Sequence, residues 1–123
     1  MDADFGRGTR RVLRQLANLA WERELSAALR SLDASFTSWK AGDIGPHELS
    51  DRIHAFHHGS AREIYVRYTR IHPPELVARA VGLGILAETE VPPHLIAALA
   101  KGIHYYREDL EPPQEDVESE SAE

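Results

Sequence analysis

The stretch from Pro46 to Ile71, PHELSDRIHAFHHGSAREIYVRYTRI, decides the fold of this chain. Its apolar residues recur every three or four positions, which is the spacing of one helix face. Gly59 and Ser60 interrupt it: glycine closes helices in the left-handed conformation, and serine starts them as an N-cap. Glu63 completes a Ser-x-x-Glu capping box. The sequence therefore predicts two helices that meet at Gly59 as a hairpin or corner, each burying an apolar stripe.

The flanking segments also indicate helices. The segment from Thr9 to Lys40 lacks proline and is rich in strong helix formers, and Gly42 follows it as a stop signal. Two Pro-Pro pairs, beginning at Pro73 and Pro92, separate two more helical segments because the residue before a proline disfavours the helical conformation. We predict an all-α fold, a single compact bundle of about five helices with a long N-terminal helix.

Charge and composition divide the chain into three parts. Residues 108–123 carry eight acids and no base, while the other 107 residues hold all 14 bases and the remaining 12 acids, a net charge of +2. We predict a flexible lead over residues 1–8, a helical domain over 9–111, and a disordered acidic tail over 112–123, which has almost no apolar side chain to bury.

The composition also bears on location. The chain has no cysteine, so it forms no disulfide and offers no thiolate for a metal. It has no apolar run of membrane-spanning length, and its first residues do not resemble a secretory signal. We expect a cytoplasmic location, no membrane contact and no cofactor.

The long N-terminal helix carries two successive apolar faces, and the change falls near Trp21. The later face, between Leu25 and Trp39, is expected to lie under the hairpin that follows. The earlier face, Val12, Leu16 and Leu19, then lacks cover, and an exposed apolar row is an association site. We predict a homodimer, or contact with a protein partner, through residues 9–23. The alternative is that the helix breaks near Trp21 and its first half folds back onto the last helices.

A small basic patch lies in the same segment, formed by Arg7, Arg10, Arg11 and Arg14. It could bind an acidic partner, nucleic acid or the acidic tail of its own chain. Because residues 1–30 carry a net charge of only +2, we do not favour nucleic acid as the partner.

Three histidines precede Gly59. His54, His57 and His58 have the three- and four-residue spacing that lets imidazoles on one helix face share a metal ion. Histidines near a helix C-terminus also interact favourably with the helix dipole, and no second group of metal ligands is present in the sequence. We favour the solvated helix end and keep the three histidines as weak metal candidates.

Arg52 with His57, and Arg52 with His58, give the spacings R-x4-H and R-x5-H. This pattern resembles the R-x4-6-H signature of the HEPN ribonucleases, small helical proteins that cut RNA without metal, usually as dimers. The resemblance implies that Arg52 would steady a phosphate and a histidine would act as acid and base. It covers one helix of five, and Ile53 stands where the family usually has a polar residue.

The segment Ala80 to Ile85 has the look of a helix-turn-helix, but the helix after it offers no Arg, Asn or Gln at its start to read bases. We therefore expect a non-enzymatic protein–protein interaction module: a regulator, an adaptor or an antitoxin/immunity-type inhibitor. The alternative is a metal-independent ribonuclease built on Arg52, His57 and His58.

Overall fold

The computed structural model describes residues 5–110, apart from the side chain of Leu110, and the all-α prediction is confirmed. The α-helices are α1 (Arg7–Lys40), α2 (Pro46–Phe56), α3 (Arg62–Arg70), α4 (Pro73–Gly82), α5 (Pro93–Ala98) and α6 (Ala100–Leu110). A π-helical turn spans His57–Ala61, and a 3-10 turn spans Glu88–Glu90. No helix in the described part of the chain is long and apolar enough to cross a membrane.

The acidic tail over 112–123 lies outside the described residues, as does half of the predicted lead over 1–8. Within that lead, α1 begins at Arg7, two residues before the predicted start at Thr9.

Helix α1 is continuous over 34 residues, without a break near Trp21. It ends as the sequence predicts. Gly42 takes the left-handed conformation with φ of +84°, and the amides of Gly42 and Asp43 donate to the carbonyls of Trp39 and Ser38. This pair of bonds is the Schellman motif, which lets the chain turn into α2 at Pro46.

The predicted joint at Gly59 is wrong. Phe56, His57, Ala61 and Arg62 all have helical dihedral angles, so α2, the π turn and α3 form one continuous helix. Gly59 does not have a positive φ, and Ser60 makes no capping hydrogen bond because no helix begins there. When α2, the π turn and α3 are counted as one helix, residues 5–110 contain five helices besides the 3-10 turn.

The apolar stripe contains one extra residue, and this is the physical reason why a π turn replaces the predicted joint. Leu49 and Phe56 are seven residues apart, the spacing that keeps two residues on one helix face, but Phe56 and Ile64 are eight apart. In a regular α-helix the extra residue would rotate the next stripe by about 100°. A π turn takes in one more residue per turn, so Ile64 and Tyr68 are buried while α2 and α3 both pack against α1.

The chain divides into two compact units, Met1–Val77 and Ala78–Glu123. The first unit is a helical hairpin, in which α1 packs against α2, the π turn and α3, followed by the start of α4.

In the second unit α4 ends in a Schellman motif at Gly84, whose φ is +83°. Gly82 does lie against another helix, because a Cβ there would come 2.7 Å from the carbonyl oxygen of Ile103 in α6. The next helix, α5, has only six residues.

Candidate functional site

The three histidines lie at the π turn and are all exposed. The rings of His54 and His58 stack in parallel with centroids 6.1 Å apart, and His57 meets His58 edge-on at 5.1 Å. Within residues 5–110, no group of three or more His, Asp or Glu side chains is arranged to hold a metal ion. The π turn thus produces an exposed imidazole stack on the surface of the hairpin.

Arg52 points to the other helix of the hairpin. Its Nε lies 3.0 Å from Oε2 of Glu48, one turn earlier on α2. Its Nη1 donates to Oγ of Ser35 on α1 at 3.2 Å, and Ser35 is buried. The guanidinium therefore links α1 to α2, with a carboxylate beside its positive charge.

A groove of about 290 Å³ runs beside this link. It is lined by Ala28, Ser31, Leu32, Ser35, Arg52, Ala55, Phe56 and Ser60. Arg52 borders the groove, whereas neither His57 nor His58 is among its lining residues. The structure thus does not bring the arginine and histidines of the R-x4-H and R-x5-H patterns together in this groove.

The predicted binding segment at the start of α1 is partly covered. The four arginines, Arg7, Arg10, Arg11 and Arg14, are exposed. In the apolar row Leu16 is only 9 % exposed, and Val12 and Leu19 are half-buried. The row is therefore not the open surface that the sequence led us to expect, and the homodimer through residues 9–23 stays a prediction.

Two features of the hairpin were not found from the sequence. One is a groove of about 370 Å³ at the start of α1, lined by Arg14, Asn18, Trp21, Arg70 and others. The other is a set of large apolar side chains in solvent. Leu29 is 47 %, Trp39 41 % and Ile53 39 % exposed.

The sequence of α1 contains a pattern that points to these exposed apolar side chains. The residues Leu25, Leu29, Leu32, Phe36 and Trp39 follow one another at intervals of four, three, four and three. This alternation is the repeat of helices that pack in coiled coils and bundles.

Comparison of the chain with models of known protein families, with curated proteins and with solved structures gives no significant match.

Proposed function

We propose that the chain works by binding another protein, as a small cytoplasmic regulator, adaptor or antitoxin/immunity-type inhibitor, and performs no chemistry. One observation supports the proposal most strongly, the half-covered apolar surface of the 25–61 hairpin. This name denotes the second half of α1, the turn after it, α2 and the π turn. All of its residues are described, and only Ser35 and Leu49 among them are buried.

The incomplete burial follows from the number of helices. A helix that faces a core has an apolar stripe more than 100° wide, and a single partner helix covers only part of it. Burying one side chain of the size of leucine or isoleucine stabilises a protein by roughly 1.5–3 kcal/mol. Leaving Leu29, Ile53 and Trp39 in solvent forgoes much of this, and a protein partner that covers them would recover it.

The alternative, a ribonuclease, has weaker support. Arg52 is held by Glu48 and Ser35 on the groove side of the hairpin, and the histidines lie outside that groove. A phosphate bound at Arg52 would compete with the Glu48 carboxylate.

The test compares two double variants of the full chain. Leu29→Glu/Ile53→Glu places charges on the apolar surface, and Ala27→Glu/Ala34→Glu places the same number at exposed alanines on the opposite side of α1. We expect wild type and the alanine-site variant to be cross-linked in the native host to the same protein, and the apolar-site variant not to be.

Ribonuclease activity of the purified protein would contradict the proposal. If the purified wild-type protein cleaves RNA, and Arg52→Ala and His57→Ala each abolish cleavage while circular dichroism shows an intact fold, the binding-module proposal is wrong.

A further inference from the structure

The two edges of the contact between α1 and α2 differ in chemistry. On a helical wheel Ser35 lies about 120° from Leu29, and Arg52 lies about 100° from Ile53. Since Arg52 donates to Ser35 across the helices, these two residues mark one edge. Leu29 and Ile53 lie toward the other edge. One edge of the hairpin thus carries polar bonds beside the groove of about 290 Å³, and the other carries apolar side chains in solvent.

The spacing of the apolar residues on both helices of the hairpin indicates the kind of structure that fits against them. The alternation of four and three runs from Leu25 to Trp39 on α1 and from Leu49 through Ile53 to Phe56 on α2. Such a repeat packs against other helices at a shallow crossing angle, as in four-helix bundles. Two helices cannot enclose a core between them, whereas four helices can.

We propose that the open face of the 25–61 hairpin binds the same face of a second copy of the chain, so that two hairpins form a four-helix bundle. This inference rests on the proposed function and names its partner. The face is self-complementary, because each helix presents an exposed apolar side chain there, Leu29 on α1 and Ile53 on α2. A two-fold axis would place the same surface on both sides of the contact.

The size of the face suits a dimer. The sixteen residues from Leu25 to Lys40 form a helical segment about 24 Å long, at 1.5 Å per residue. Two helices side by side, with axes 8–10 Å apart, make a face roughly 20 Å wide. Its flat projection is roughly 500 Å², and the relief of interlocking side chains raises the buried area toward the roughly 600–1,000 Å² per partner of stable complexes.

Charge also permits two copies to meet. Residues 25–61 contain Arg30, Lys40 and Arg52 against Asp33, Asp43, Glu48 and Asp51, a formal net charge of −1 with neutral histidines. Two nearly neutral surfaces repel each other little, in contrast to the acidic segment 108–123 with its eight acids.

The experiment measures molar mass by light scattering over a concentration series. We expect the wild-type chain, and the Ala27→Glu/Ala34→Glu control, to approach twice the 13.8 kDa of one chain. We expect Leu29→Glu/Ile53→Glu to give a single-chain mass with wild-type helix content, because each new carboxylate would have to be buried at the contact.

Cross-linking keeps the proposal testable if the double variant fails to fold. The chain has no cysteine, so Leu29→Cys and Ala34→Cys each introduce a single thiol. A short bismaleimide should link two Leu29→Cys chains and leave Ala34→Cys chains unlinked.

Three results would overturn the inference: a wild-type protein of single-chain mass at all concentrations, a folded apolar-site variant that still dimerises, or equal cross-linking at both positions. A single-chain wild type whose Leu29 and Ile53 are needed to capture a different protein would overturn the dimer and retain the proposed function.

Discussion

At the scale of single residues, a cluster around Glu24 fixes the register of α1 against α3. The hydroxyl of Tyr68 donates to Oε1 of Glu24 at 2.6 Å, and Nη1 of Arg67 lies 3.4 Å from Oε2. The ring of Tyr68 stacks on Trp21 with centroids 5.6 Å apart and planes within 7°. Polar bonds and stacking thus act at the same point of the hairpin.

Tyr68→Phe should test the hydrogen-bonding part of this cluster. The substitution keeps the ring and removes the hydroxyl, and a hydrogen bond to a charged group contributes about 1.5–3 kcal/mol. We expect the free energy of unfolding, measured in urea, to fall by about that amount. The control is Tyr65→Phe, since Tyr65 is 62 % exposed and should show no change. Equal losses in both variants would contradict the role of the bond to Glu24.

These two tyrosines also show what the sequence could predict. The three- and four-residue spacing puts both on the core stripe, and Tyr68 is buried while Tyr65 is exposed. Spacing identifies an apolar stripe but not how much of its width a neighbouring helix covers, and the packing of α3 against α1 buries Tyr68 and not Tyr65. The bond between Glu24 and Tyr68 joins residues 44 positions apart, a pairing that local spacing does not contain.

Gly82 provides a second prediction at this scale. A Cβ at Gly82 would lie 2.7 Å from the Ile103 carbonyl oxygen and 2.8 Å from the Cβ of Tyr106, so Gly82→Ala must push α4 and α6 apart. Overpacking of this kind costs about 1–3 kcal/mol, and we expect a matching loss in the free energy of unfolding.

The matched control is Gly59→Ala. Gly59 lies in helical backbone with open space around its Cα, so alanine should stabilise the chain by about 0.5–1 kcal/mol. A neutral Gly82→Ala would contradict the close contact between α4 and α6.

At the scale of elements, the π turn is the main departure from the sequence prediction. Gly59, Ser60 and Glu63 carry every local signal for the end of one helix and the start of the next. The chain nevertheless continues, because α1 is long enough to pack against both α2 and α3. Local sequence signals compete with tertiary packing, and a single sequence shows only the local signals. The end of α1 at Gly42 was predictable since no packing opposes it there.

Ser60→Ala distinguishes one continuous helix through the π turn from two helices that meet at Gly59. As the N-cap of a new helix, Ser60 would contribute about 1 kcal/mol. Inside a continuous helix it makes no capping bond, and alanine has the higher helix propensity. We expect unfolding in urea to show no loss of stability for this variant. A loss near 1 kcal/mol would favour the hairpin joint that the sequence predicted.

At the scale of the whole molecule, the two apolar faces of α1 are buried to different extents from those predicted. The sequence predicted a covered later face and an exposed earlier one. Leu13, Leu16, Ala17 and Ala20 in the first half are buried, while Leu29 and Trp39 in the second half are about half exposed. The sequence predicts two successive apolar faces on α1. It does not show that a single helix, α2, covers only one side of the second face.

Deletion of residues 112–123 tests how this acidic tail contributes to stability. The segment contains five of the acids and little apolar surface, so its removal should change the net charge from −6 to −1 and leave the melting temperature nearly unchanged. Differential scanning calorimetry at low and physiological salt measures this.

A full-length variant with the same five acids changed to Gln or Asn is the control. A drop of several degrees in both proteins would show that the carboxylates are needed. Screening of that drop by salt would point to electrostatic contact, for which the exposed arginines from Arg7 to Arg14 carry the matching charge. A drop in the deletion alone would instead show that the segment packs through its other side chains.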